Sequence, residues 1–124
     1  MTDPSLPTDR LYDSAGHMWF REEGGGRFRV GITALGAQTV GEVMAFMPKR
    51  AGGRVEADRS IATLESGKWV GAVRLPFPAR VVEANEELID HPALINADPF
   101  GDGWMVVVEA DDPEGVRARL ESPA

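Results

Sequence analysis

Lysine is scarce in this 124-residue chain. Of its 13 basic residues only Lys49 and Lys68 are lysines, and the rest are arginines. Lys68 stands in the run Glu65-Ser66-Gly67-Lys68, between two strand-like stretches, Ser60–Leu64 and Trp69–Leu75. Gly67 eases a tight turn, so the pattern predicts a hairpin with Lys68 at or beside its tip. The plain reading is a solvated turn lysine. The chemical reading is an amine held away from the body on a long stem, with Glu65 at the foot of the turn, which suits a covalent attachment point. Schiff-base catalysis would need a buried or cationic pocket to lower the amine's pKa, and a turn tip supplies neither.

The other reactive side chains do not form a catalytic set. The chain has no cysteine, which removes disulfides, thiolate nucleophiles and thiolate metal sites. His17 and His91 are far apart, and no further ligands stand at metal-site spacing. His91 reads as a helix-end residue, and His17 lies beside Met18 and Trp19 near an apolar cluster. Glu22-Glu23, Glu86-Glu87 and Asp111-Asp112 read as solvated faces. Gly24-Gly25-Gly26 lacks the lysine and following helix of a phosphate loop. Trp19 and Trp104 read as core or core-edge residues. Trp69 reads either as a hairpin-face residue or as a lining beneath whatever Lys68 carries. Asn96, Asp98 and Gly101 read as turn formers.

The 20 acidic residues give a net charge of -7, which argues against a nucleic-acid or anionic-membrane partner and favours partners with a basic docking face. No apolar stretch is long enough for a transmembrane helix, and the start MTDPSLPTDR is unlike a signal peptide. A cytoplasmic location is the expectation.

These residues need a scaffold. Many short strands between Gly and Pro turns predict one mostly β domain, a small sandwich or partly open barrel. Residues 1–10 read as a flexible N-terminal segment and 11–124 as a single domain with a short C-terminal helix. Phe28, Val30 and Ile32 alternate as a strand. Thr33 is placed to cap a helical turn through Ala34–Val40. Glu42–Met47 and Arg80–Ala84 read as strands, Arg50–Gly53 as a turn, and Asn85 as the start of a short helix, 86–91. Asn96–Gly103 reads as turns. Trp104–Glu109 reads as a strand with Trp104, Val106 and Val108 on one face. Asp112-Pro113-Glu114 is a cap, a proline and a first-turn acid opening the last helix, about Pro113–Leu120.

Four ordered matches carry a family resemblance over about residues 11–110. The first is Val82-Glu83-Ala84-Asn85-Glu86-Glu87-Leu88, continuing through Pro92, Leu94, Ile95, Asn96, Asp98, Pro99, Phe100, Gly101, Gly103 and Trp104. The second is His17-Met18-Trp19. The third is Val30-Gly31-Ile32-Thr33, followed by Gly41-Glu42-Val43. The fourth is Glu65-Ser66-Gly67-Lys68, with Gly52 upstream. Together they resemble the H protein of the glycine cleavage system, a lipoyl carrier. The resemblance implies a lipoyl-carrier fold, a hammerhead-like barrel-sandwich hybrid with short peripheral helices. It implies lipoate joined by an amide to Lys68, with Glu65 and Gly52 helping a lipoate-attaching enzyme to place the turn. Ser66, Gly67, Trp69, His17 and Met18 are the residues expected to contact the arm. The implied protein is a carrier and not an enzyme. Its implied partners are a pyridoxal-phosphate glycine decarboxylase, a folate-dependent aminomethyltransferase and the flavoenzyme dihydrolipoyl dehydrogenase.

The chain also departs from that pattern. Between Thr33 and Gly41 the family has a motif of the type Asp-Tyr-Ala-Gln, and here the stretch Ala34-Leu35-Gly36-Ala37-Gln38-Thr39-Val40 lacks the acid, the tyrosine and the matching glutamine. Met18 stands where the family has glutamate, and Trp69 where it commonly has alanine. Leu75-Pro76-Phe77-Pro78-Ala79-Arg80 replaces a motif close to Ala-Pro-x-Ser/Thr-Gly. These changes leave fewer anions for an aminomethyl cargo. Two alternatives follow: an H-like lipoate-binding protein serving a heterodisulfide-reductase-like sulfur-oxidation complex, or a non-lipoylated binding module of the same fold.

Overall fold

A computed structural model describes residues 6–123. The strands are β1 (Leu11–Tyr12), β2 (Met18–Gly24), β3 (Arg27–Ile32), β4 (Val43–Pro48), β5 (Arg54–Val55), β6 (Arg59–Ser66), β7 (Val70–Leu75), β8 (Ala79–Ala84) and β9 (Val106–Ala110). The helices are α1 (Ala34–Val40), α2 (Glu87–Asp90), α3 (Leu94–Ala97) and α4 (Pro113–Arg119). A six-stranded antiparallel sheet has the order β1-β2-β3-β9-β8-β5, and a three-stranded one the order β4-β6-β7.

The expected barrel-sandwich hybrid is corrected here. Both sheets are open, and among the described residues no strand of one pairs with a strand of the other. The cause lies at the edges. The outermost strands of the large sheet, β1 and β5, are two residues long, so its ladder runs out before it can meet the small sheet. The architecture is two open sheets plus four short helices, a mixed α/β arrangement.

The two sheets share one core. Phe20, Phe28, Val30, Val81, Val106 and Val108 of the large sheet join Phe46, Ile61, Leu64, Val73 and Leu75 of the small one. Phe77, in the proline-flanked link between β7 and β8, packs its ring against Phe20 and Phe28 at centroid distances of 5.7 and 6.0 Å.

Trp19 points away from that core yet is only 1% exposed. The Arg10 guanidinium lies 4.5 Å over its ring, and its indole N–H donates to the Pro99 carbonyl at 2.8 Å. Arg10 also donates to the Phe100 carbonyl at 2.9 Å. The indole thus pins the 98–103 loop to β2. Of the expected flexible segment 1–10, residues 1–5 lie outside the described residues, and Arg10 is buried.

Several sequence expectations meet a different geometry. Asn85 does not cap a helix: its side-chain amide donates to the Asp102 and Trp104 carbonyls, at 2.9 and 2.8 Å, and Glu86 takes the cap position. Part of the expected turn-rich segment is α3. Trp104 precedes β9, with Arg29 stacked 4.2 Å over its ring. The two longer helices follow their sequence signals. Thr33 Oγ accepts the Gly36 N–H at 3.1 Å, and the Asp112 carboxylate accepts the Gly115 N–H at 3.1 Å. Arg117 then ties α4 to β2 through Glu22 at 2.6 Å.

Glu23 has its carboxyl held below its ordinary value of 4.5, first by the hydrogen bond from Arg29; burial opposes this, and the hydrogen bond from Arg21 and the charges of both arginines lower it further. A lowered carboxylate pKa stabilises the fold fully above the unfolded value, and that stability is lost as pH falls through the folded value. Glu23→Gln is therefore expected to lower the melting temperature at pH 7. The gap to the unaltered protein should close as the medium is acidified below about pH 4.5. Gly31 supplies a second test. A Cβ there would come within 2.5 Å of the Trp19 ring, so Gly31→Ala must displace a buried indole. Urea unfolding is expected to show a loss of about 1–3 kcal/mol, the usual range for overpacking.

Candidate functional site

The β6–β7 hairpin is closed by the Ser66 N–H donating to the Trp69 carbonyl at 2.8 Å. Ser66 is buried, and its hydroxyl donates to the Val40 carbonyl at 2.6 Å. The same oxygen accepts the Lys68 N–H at 3.3 Å. The turn is thus fastened to the C-terminal end of α1. Lys68 is exposed beyond it. Its methylenes lie on Gly41, where a Cβ would come 2.8 Å from the lysine Cε. Its Nζ donates to the Gln38 carbonyl at 3.4 Å. Gly41 has φ +88°, a conformation open to glycine at little cost.

Asn96 fixes the other side of this junction. Its side-chain oxygen accepts the Val43 N–H at 2.8 Å, and its amide donates to the Gly41 carbonyl at 2.8 Å. The turn former expected at this position is instead a bridge from α3 to the lysine's seat. Asp98 does shape a turn, accepting the Asp102 N–H at 2.8 Å.

The expected site residues fall into four places. Ser66, Gly67, Lys68 and Trp69 form the hairpin turn. Trp69 folds back over Gly71, where there is no side chain to block the indole, and it keeps 39% of its surface exposed. There it joins His17 and Met18 in lining a cleft of about 290 Å³, whose walls also include Ile32, Val40 and Leu64. Asp13 and Arg74 supply the cleft's charges. One Asp13 carboxylate oxygen accepts the N–H groups of His17 and Met18, at 2.9 and 3.1 Å, and so shapes the loop that carries them. Glu65 is exposed on the outer face of the small sheet, in register with Ala45 and Val70. Gly52 is not brought to the lysine. It sits in the turn after β4, donating its N–H to the Val81 carbonyl at 2.7 Å, at the end of the hairpin remote from Lys68.

Sequence reasoning missed Asp13, Gly41, Asn96 as a bridge, and Arg74. Gly71, two residues after an isolated tryptophan, was the available signal for the folded-back indole. Among the described residues no cluster of three His, Asp or Glu side chains could hold a metal ion. Among the described residues no helix is long and apolar enough to cross a membrane.

An exposed amine on a turn fixed by buried hydrogen bonds, next to a tryptophan that lines an apolar cleft, is a geometry for holding a tethered group. Comparison with known proteins agrees with it. Residues 10–123 match the family described as glycine cleavage H-protein. Glycine cleavage system H protein 5 of Aquifex aeolicus is 44% identical over 119 residues, covering 93% of this chain and 80% of that protein. The glycine cleavage system H protein of Pseudoalteromonas atlantica is 36% identical over 118 residues, covering 95% of this chain and 91% of that protein. The crystal structure of a glycine cleavage system H protein from Mycobacterium marinum superposes with a TM-score of 0.76 at 30% identity, covering 91% of this chain and 99% of that one. The chain belongs to the glycine cleavage H-protein family and is a carrier of that type, not an enzyme.

Proposed function

We propose that Lys68 carries lipoate through an amide on Nζ, and that the loaded arm shuttles between the enzymes of the glycine cleavage system. The observation that carries this reading is the exposed Lys68 amine, fixed at a hairpin tip beside an apolar cleft. The residues present fit the group. Acylation removes the amine's charge, and Met18, Ile32, Val40, Leu64 and Trp69 offer an apolar lining to an aliphatic arm. When bound, lipoate supplies a dithiolane that accepts a one-carbon amine unit and returns to its oxidised form. The protein's own residues supply placement. Ser66 fixes the turn, and Trp69, His17 and Met18 line the cleft in which the arm can rest. The tether replaces diffusion by a high local concentration at each partner.

The partners in this reading are a glycine decarboxylase, an aminomethyltransferase and dihydrolipoyl dehydrogenase, all met in the cytoplasm. A lipoate-attaching enzyme is the fourth partner. Glu65, exposed three residues before the lysine, is placed to be read by that enzyme. Gly52 would act only through the shape of its remote turn. Nothing in the fold or among the relatives favours the sulfur-oxidation alternative.

Intact-mass measurement of protein from its own host, followed by peptide mapping, tests the reading. A lipoyl increment on Lys68 is expected, and Lys68→Arg should lose both the increment and glycine cleavage while melting as the unaltered protein does. An unmodified Lys68, in a host that lipoylates other carriers, would overturn it. Ser66→Ala is expected to cost about 1–3 kcal/mol on thermal unfolding, since the Val40 carbonyl loses its buried partner. It should also slow lipoylation more than Trp69→Ala does, because Ser66 holds the turn that presents the amine.

A further inference from the structure

Four of the five methionines lie among the described residues, and they divide by exposure. Met18 and Met105 are buried and belong to the core. Met44 keeps 64% of its surface exposed, and Met47 keeps 49%. Both exposed methionines stand on β4, an edge strand of the small sheet. A bulge places Met44. Val43 is opposite Ser66 and Ala45 opposite Glu65, so Met44 is the extra residue between them. Such an extra residue bends the strand and re-aims its own side chain. The bend is anchored, because the Val43 N–H donates to the Asn96 side-chain oxygen at 2.8 Å. Met47 lies further along β4, opposite Thr63.

Met44 therefore stands on the strand next to Glu65 and Ser66, the residues that lead into the turn of Lys68. Val70, another exposed apolar residue, is in register with Glu65 on the opposite side, in β7. An enzyme that reaches the Lys68 amine must cover this end of the sheet, with Met44 and Val70 flanking Glu65. Methionine is enriched at such contacts because its side chain is flexible and polarizable. An exposed thioether is also open to oxidation, and the chain has no cysteine to intercept the oxidant. Hydrogen peroxide is uncharged, so the exposed carboxylates of Glu42 and Glu65 do not repel it. A sulfur lone pair attacks one peroxide oxygen, an S–O bond forms and the O–O bond breaks. The released hydroxide takes the proton from the new S–OH and leaves as water. The sulfur is oxidised by two electrons and the peroxide is reduced. The product sulfoxide puts a polar group where an apolar one stood. A sulfoxide reductase with a dithiol reverses the change: the oxygen leaves as water and the dithiol becomes a disulfide.

We infer that Met44 is a reversible oxidation site, converted to its sulfoxide by peroxide, and that the sulfoxide slows enzymatic loading of Lys68 by spoiling the apolar contact beside Glu65. Met47 is oxidised too, but it lies too far from the turn for its sulfoxide to affect loading. This inference rests on Lys68 as the lipoyl attachment point.

The test uses the full chain with Lys68 unmodified. It is treated with limiting hydrogen peroxide, the excess is destroyed with catalase, and the gain of one oxygen at each methionine is read by peptide mapping. Sulfoxide is expected at Met44 and Met47 well before Met18 and Met105. Loading of Lys68 by the lipoate-attaching enzyme, supplied with lipoate and ATP, should then slow severalfold with the melting temperature unchanged. Sulfoxide reductases with dithiothreitol should restore the rate. Met44→Leu should load at the unaltered rate and be indifferent to peroxide, whereas Met47→Leu should remain as sensitive as the unaltered protein. Three outcomes would each overturn the inference: Met18 or Met105 oxidised as fast as Met44, loading unchanged once Met44 is oxidised, or a Met44→Leu protein that peroxide still slows. An unoxidised protein that the enzyme does not load would overturn the functional reading, and this inference with it.

Discussion

A single buried hydroxyl joins the two halves of the site. Ser66 Oγ donates to the Val40 carbonyl and accepts the Lys68 N–H, so one oxygen fixes the end of α1 and the turn of the hairpin to each other. The Val40 carbonyl lies at the end of a helix, where the helix has no partner to offer it. Burial makes leaving it unpaired expensive. The lysine's seat on Gly41, the bridge made by Asn96 and the cleft lined by Trp69 all adjoin this link. Without it the hairpin tip would still form, but it would not be aimed.

Rigidity of the platform and freedom of the amine are both required, and they come from different parts of the chain. The platform is held by directional bonds with buried partners: Ser66 to Val40, Asn96 to Gly41 and Val43, Asp13 to His17 and Met18. The lysine side chain has one long hydrogen bond to a backbone carbonyl and no carboxylate partner among the ion pairs of the described residues. Most arginines, by contrast, lie far from the hairpin tip. Arg54 pairs with Asp111 and Arg117 with Glu22, each joining segments distant in sequence.

Much of this was legible in the sequence because it rests on local rules. The hairpin around Gly67, the Thr33 cap, the Asp112-Pro113 helix start and the lysine at the turn tip each follow from a few adjacent residues. That the sheets stay open was not legible, because closure depends on whether distant edges meet, and two-residue strands such as β1 and β5 give no periodicity to read. Asn96 looked like a turn residue because sequence shows its neighbours, whereas its partners at Gly41 and Val43 are more than fifty positions away. Trp69 left two readings open: burial on the hairpin face is not what the structure shows, since the residue keeps 39% of its surface exposed, while its indole does line the cleft.

The short outer strands also bear on what happens when this protein is concentrated. A carrier has to be approached by several enzymes, yet copies of it must not adhere to one another. An exposed sheet edge is a template for another strand, and the hazard grows with its length. Two residues at β1 and at β5 offer too few free N–H and C=O groups to nucleate such a pairing. Of the small sheet's two edges, β4 is interrupted by a bulge opposite Glu65 and ends at Pro48, which has no N–H to give, while β7 is a six-residue edge. The short outer strands that keep the large sheet from closing thus also discourage unwanted strand exchange at its two edges.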